Sequence, residues 1–144
     1  LKSSANSART LYLMHALTHI TRARLDEALR ELELSALQYT MLSVIEHNTG
    51  LSSARLSRRF QVTQQSMGEM VALLEKKGML SRVEDSNNRK VLLLSLTEAG
   101  YLTTKAGDAI AEKLESAVFE TLTPSEVTQL REILTKVLTH VRTD

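Results

Sequence analysis

The chain has 144 residues, 42% of them hydrophobic and 24% charged, with a formal net charge of +1, the balance of one globular domain with helical extensions rather than a disordered chain. It has no cysteine, which excludes disulfides, thiolate metal sites, Cys nucleophiles and thiol-based peroxide sensing. It also has no Trp, three Tyr and two Phe, too few aromatics for a platform that stacks single-stranded bases.

The chain opens on Leu1 rather than Met, so residues are expected to precede it. No signal-peptide segment opens it, and no apolar run approaches the roughly 18 residues needed to cross a membrane, so a soluble cytoplasmic protein is expected. A long helix is predicted from about Ala5 to Leu32, with Leu11, Met14, Thr18, Leu25, Leu29 and Leu32 near one stripe and Leu13, Leu17 and Ile20 widening it. His15 and His19 stand four apart on it, a spacing that allows two imidazoles on one metal. A third ligand is missing, so ordinary helix-face histidines, no metal and no cofactor are expected. The next helix, 35–48, opens on a capping box in Ser35 and Gln38, stapled by Leu34 and Tyr39, and stops at Gly50. Helices 52–60 and 63–77 follow, capped by Ser52 and Thr63, and the second closes on Lys76, Lys77 and Gly78. From Leu80 the period becomes that of strands, and a polar loop at Asp85-Ser86-Asn87-Asn88 joins two of them into a hairpin over 80–96. A helix at 98–121 follows, then one at 124–142 with a second capping box in Thr123 and Glu126 and Pro124 at its first position.

Charge is unevenly spread along this map. Between Leu51 and Thr97 eight basic residues face four acidic ones, a net +4, while the remainder carries ten basic and thirteen acidic residues, a net −3. A basic centre between acidic ends suits a polyanion, although ordinary charge scatter on a solvated surface has the same look. The spacing of helices 52–60 and 63–77 is that of a helix-turn-helix. Met67, Met70, Val71 and Leu74 make one apolar face of the second helix, and Gln64, Gln65, Gly68, Glu69 and Ala72 fall opposite. An exposed first turn of small and amide side chains enters a major groove without steric conflict, and Gln pairs bidentately with adenine. The same residues could simply solvate a helix start; the basic hairpin that follows, with Arg89 and Lys90 at its tip, favours the DNA reading. Helix, turn, helix and basic ribbon make a winged helix-turn-helix, and the fold class expected is mainly α with a small β-hairpin wing.

The sequence resembles the MarR family of bacterial transcription regulators over nearly its whole length. Leu34-Ser35-Ala36-Leu37-Gln38-Tyr39 is similar to the family's Leu-Thr-x-x-Gln-aromatic opening, and Val62-Thr63 through Leu74-Glu75-Lys76-Lys77-Gly78 to its recognition helix. Asp85 through Gly100 is similar to its wing signature, Asp-x-Arg-Asp-Arg-Arg followed by a strand and Leu-Thr-x-x-Gly. Asn87 and Asn88 depart from that signature, and Glu69 lies near a position that is often basic.

The resemblance implies residues 1–34 as an N-terminal dimerisation helix, 35–100 as the winged DNA-binding domain and 101–144 as C-terminal dimerisation helices. It implies a cytoplasmic homodimer that acts as a repressor on palindromic double-stranded DNA and is released by a small aromatic or anionic effector. The apolar stripes on the outer helices, which include Val127, Leu130, Leu134, Val137, Leu138 and Val141, support the dimer independently. Thr63, Gln64, Gln65, Ser66 and Glu69 are the expected recognition residues, and Asn87, Asn88, Arg89 and Lys90 the expected wing contacts. Ser53, Arg55, Arg58 and Arg59 are expected at the DNA backbone. Tyr12, His15, His19, Arg22 and Tyr39 are the candidates for an effector crevice. No motif argues for an enzyme. The alternative is a winged-helix protein-interaction module that does not bind DNA.

Overall fold

The computed structural model describes residues 8–142. In chain order the elements are α1 (Thr10–Ala28), a 3-10 turn (Arg30–Leu32), α2 (Ala36–His47), α3 (Ser53–Phe60), α4 (Gln64–Lys76), β1 (Leu80–Glu84), β2 (Leu92–Leu96), α5 (Glu98–Val118) and α6 (Pro124–Arg142). The chain divides into two compact units, one up to Ile110 and one from Ala111 onward, and the division falls within α5.

The helix starts follow the predicted chemistry. Ser35 Oγ accepts from the Gln38 N–H at 3.1 Å, and Gln38 Oε1 accepts from the Ser35 N–H at 3.0 Å, completing the capping box of α2. Ser52 Oγ accepts from the Arg55 N–H, and Thr63 Oγ1 from the Ser66 N–H. Thr123 and Glu126 close the second box: the Thr123 N–H donates to Glu126 Oε2 at 2.8 Å and the Glu126 N–H to Thr123 Oγ1 at 3.2 Å. These bonds, that from the Thr123 backbone first, hold the Glu126 carboxyl below its ordinary pKa.

Two helix boundaries differ from expectation. The predicted first helix over 5–32 starts at Thr10 and ends as α-helix at Ala28. Its expected first turn, residues 5–7, lies outside the described residues. At the far end Leu29 is completely buried, the 3-10 turn follows, and Glu33 takes a left-handed φ of 54°. Asp26 Oδ1 accepts from the Ala36 N–H at 2.6 Å, so a carboxylate on α1 serves the start of α2 and draws the chain back on itself. The helix predicted to reach residue 121 stops at Val118, where Leu122 N–H bonds to the Phe119 carbonyl in a tight turn before α6.

The first unit is built around one core of Leu29, Leu34, Met41, Leu42, Ile45, Leu56, Met67, Val71, Leu74, Leu80 and Leu94. α2 contributes Met41, Leu42 and Ile45 at helical spacing, and α4 contributes Met67, Val71 and Leu74, all three with no exposed surface. The turn between α3 and α4 has no glycine. Gln61 takes the left-handed position, with its N–H on the Arg58 carbonyl and the Val62 N–H on the Ser57 carbonyl. α4 ends in the same motif with Gly78 at φ 75°, the Met79 N–H reaching the Leu74 carbonyl. β1 and β2 pair antiparallel from Leu80 opposite Leu96 to Glu84 opposite Leu92. The Leu94 N–H bonds to the Leu51 carbonyl at 2.8 Å, pinning the hairpin beside the start of α3.

The buried face of α5 in this unit is made of small residues: Gly100, Thr104 and Gly107. A Cβ at Gly100 would fall on the Met79 carbonyl, with its carbon only 2.9 Å away. Thr97 ties the same corner together, its hydroxyl donating to the Gly78 carbonyl at 2.6 Å and accepting from the Gly100 N–H at 2.9 Å. In the second unit Arg131 on α6 bonds Glu115 on α5 at 2.7 Å. Among the described residues no helix is long and apolar enough to cross a membrane. Gly100→Ala is expected to destabilise the chain by about 1–3 kcal/mol, because backbone rather than a mobile side chain must move; urea denaturation measures it.

Candidate nucleic-acid interface

Burial of Met67, Val71 and Leu74 rolls the opposite side of α4 outward. Thr63, Gln64, Gln65, Ser66 and Glu69 are all exposed, as the sequence predicted. Thr63 is committed to capping, so its hydroxyl shapes the helix start. Gln64 and Gln65 make no side-chain hydrogen bond to any described residue, which leaves their amides available. Gly68 adds no bulk to this surface; a Cβ there would meet nothing within 4 Å.

On α3, Ser53 is half-buried and Arg55, Arg58 and Arg59 are exposed. The three arginines differ in their tethers. Arg55 donates to the Gly50 carbonyl at 3.2 Å and Arg59 to Asn48 Oδ1 at 3.5 Å, so both lie along the α2–α3 loop, whereas the Arg58 guanidinium makes no hydrogen bond or ion pair with a described residue.

The wing tip is ordered by asparagine and aspartate. Asp85 Oδ1 accepts from the Asn87 N–H at 3.0 Å, and Asn88 Oδ1 from the Lys90 N–H at 3.2 Å. Asn88 thus stabilises the turn that carries the cations without offering Arg89 a charged partner. Asn87, Asn88, Arg89 and Lys90 are all exposed, and neither Arg89 nor Lys90 makes an ion pair with a described residue. One wing anchor was not legible beforehand: Arg82 on β1 pairs with Glu75 on α4, tying the ribbon to the recognition helix. The strand pattern of β1 does not single out Arg82 or name its partner, which lies seven residues earlier on α4.

The expected effector residues lie on two helices, four on α1 and Tyr39 on α2. Tyr12, His15, His19 and Arg22 lie exposed on α1 and make no hydrogen bond or ion pair with a described residue. Among the described residues no three His, Asp, Glu or Cys side chains gather as a metal site. Tyr39 is half-buried and already engaged: its hydroxyl donates to Asp108 Oδ1 at 2.8 Å. Burial first, and then that hydrogen bond, push the Tyr39 phenol well above its ordinary pKa. Lys105 bonds Glu46 at 2.6 Å and Asp108 at 3.1 Å, and those bonds raise its ammonium pKa. For Asp108, burial works against ionisation, but the hydrogen bonds from Tyr39 and Lys105 outweigh it and hold the carboxyl below its ordinary value. An open groove of about 450 Å³ lies instead within the second unit, lined by Glu112, Phe119, Leu122, Val127 and Arg131 among others, and includes none of the expected effector residues.

A helix with a dry apolar face and an open polar start, preceded by a short turn from a basic helix and followed by an ordered cationic ribbon, defines a winged helix-turn-helix protein. The chain belongs to the MarR family of transcriptional regulators: the family's model matches residues 32–90. It is 30% identical over 112 residues to the uncharacterised HTH-type transcriptional regulator YdcH of Bacillus subtilis, covering 75% of this chain and 76% of that protein. It is 27% identical over 133 residues to the HTH-type transcriptional repressor Rv2887 of Mycobacterium tuberculosis, covering 92% and 96%. The crystal structure of Rv2887 with salicylic acid superposes with a TM-score of 0.74 over 92% of this chain and 98% of that one. The S. aureus MepR–DNA complex shares the fold, with a TM-score of 0.78 at 21% identity over 93% and 99%.

The lowered Asp108 pKa has a sign that can be checked. Asp108 contributes stability that is fully present above the ordinary carboxylate pKa of about 3.9 and is lost as pH falls through its lowered folded value. Asp108→Asn is expected to lower stability at neutral pH and to flatten the acid limb of a stability–pH curve measured by thermal melting.

Proposed function

We propose that the chain is a cytoplasmic homodimeric repressor that binds palindromic double-stranded DNA and is released by a small aromatic or anionic effector. The observation that carries this reading is the open first turn of α4, where Gln64 and Gln65 make no side-chain hydrogen bond to a described residue while Met67, Val71 and Leu74 on the opposite face are fully buried. That turn is the reading edge, and the two amides suit adenine. Arg58, Arg89 and Lys90 make no ion pair with a described residue and suit phosphates; Arg55, Arg59 and Ser53 lie near Arg58 on α3. Asn87 and Asn88 shape the wing. Glu69 suits a cytosine amino group and disfavours a phosphate, so it adds selectivity at the expense of general affinity.

The dimer rests on uncovered apolar surface. Leu11, Leu13, Met14, Leu17 and Ile20 on α1 are each between 41% and 78% exposed, and Ile133, Leu134, Val137, Leu138 and Val141 on α6 between 43% and 53%. A second copy covers these stripes, which gives residues 1–34 and 101–144 the dimerising role and 35–100 the DNA-reading one. The repressor named among the relatives, and its complex with salicylic acid, support the direction of regulation and the effector class. With the Tyr39 hydroxyl engaged by Asp108, the exposed Tyr12, His15, His19 and Arg22 on α1 are the groups most open to an effector.

A duplex selected by the chain from a random-sequence pool tests the reading. Arg89→Ala is expected to weaken binding to all duplexes and to make the slope of log affinity against log salt shallower by roughly 0.9, one phosphate contact. An unchanged slope and affinity would remove the wing from the interface. Gln64→Ala or Gln65→Ala is expected to change preference at particular base pairs, at about 1–3 kcal/mol per lost bidentate contact, read by competition among single-base variants of the selected duplex. A chain that selects no duplex would favour a protein-interaction module instead.

A further inference from the structure

We propose that His15 and His19 form a two-imidazole site for a divalent late first-row transition-metal ion, Cu2+, Ni2+ or Zn2+, on the open face of α1. The inference rests on α1 alone and stands apart from the DNA-binding reading above.

α1 is continuous α-helix from Thr10 to Ala28. Residues four apart in such a helix stand one above the other, with Cβ atoms about 5–6 Å apart. That separation lets two imidazoles turn toward one ion, each giving one ring nitrogen at roughly 2.0–2.1 Å. The helix supplies the spacing before the metal arrives, so the second imidazole closes on the ion as an intramolecular ligand.

Both rings are available for this. His15 and His19 are exposed, and neither makes a hydrogen bond or ion pair with a described residue. The other two histidines are placed differently. His47 Nδ1 is committed to the Ser43 carbonyl at 2.8 Å, and neither His47 nor His140 has a second histidine three or four residues away. The apolar residues Leu13, Leu17 and Ile20 lie across α1 from the pair, so covering that stripe does not require covering the histidines.

The ligand set defines the ion. Among the described residues no third His, Asp, Glu or Cys joins the pair. Water completes the coordination, which makes this an exchangeable site rather than a structural centre closed by four protein ligands. Imidazole suits zinc, copper and nickel, whereas Mg2+ and Ca2+ take oxygen ligands, and the order of affinities for a given site puts Cu2+ first. Arg22 stands exposed one turn beyond His19; its charge opposes a bare dication and favours an anion among the remaining ligands. The bound ion clamps one turn of α1 and stabilises it in proportion to its affinity.

The test uses the full, untagged chain, freed of metal with a chelator and titrated by calorimetry with Cu2+, Ni2+, Zn2+ and Mg2+. Binding of the three transition metals, Cu2+ most tightly, and no binding of Mg2+ are expected. His15→Gln and His19→Gln are each expected to lose about a hundredfold in affinity, the lower end of what joining two ligands gains. His47→Gln and His140→Gln are expected to bind like the unmodified chain. Proton NMR reads the same site residue by residue: Ni2+ added below one equivalent is expected to broaden the imidazole signals of His15 and His19 before those of His47 and His140. Circular dichroism melts establish that the variants are folded; if one single variant is not, the other and the NMR titration decide. Absence of transition-metal binding, unchanged affinity in both His15→Gln and His19→Gln, or equal broadening of all four histidines would overturn the site.

Discussion

The structure depends on the one-sided burial of α4. Met67, Val71 and Leu74 have no exposed surface, and full burial of such side chains is worth about 1.5–3 kcal/mol each. Because these positions recur at three and four residues, their burial fixes the rotation of the helix about its axis and leaves Gln64, Gln65 and Glu69 no position but the surface. Any other rotation would wet the core and bury amides and a carboxylate without partners. The apolar residues therefore decide which polar residues can meet DNA.

Elements around α4 are attached by directional bonds at its two ends. At the start, Thr63 caps the first turn and Gln61 makes the left-handed corner that turns α3 into α4. At the finish, Gly78 closes the helix, Thr97 grips the Gly78 carbonyl, and Gly100 lies flat on Met79, so the wing and the start of α5 leave from a single corner. Arg82 and Glu75 then fix the ribbon to the helix it flanks. The wing cations make no ion pair with a described residue, because the turn that presents them is held by neutral Asn88 and by the Asp85 carboxylate through backbone amides.

What was legible in the sequence was what is local. The capping residues Ser35, Ser52, Thr63 and Thr123, the glycine stop at Gly78 and the alternating strands all act over a few residues, and the helices and hairpin lie where these signals put them. The exposure of the expected recognition residues followed from the period of the apolar ones, and that of the wing residues from the polar turn that carries them. The end of α1 was hidden because Asp26 reaches ten residues ahead to Ala36, and nothing in the α1 pattern announces that bond. The sequence offers Tyr39 as a staple of α2 and a candidate for an effector crevice, but nothing local announces that its hydroxyl bonds Asp108, 69 residues away. The Lys105–Asp108 spacing is visible as a helical pair, but Glu46 as the second partner of Lys105 needs the tertiary fold.

The central claim is that two copies of this chain present two outward α4 helices to one duplex. Footprinting of the unmodified protein on a duplex selected from a random pool tests it most directly. The account predicts two symmetry-related protected half-sites with centres about one helical turn, 10 bp, apart, or a multiple of that. A single unrepeated half-site occupied by one chain would contradict it.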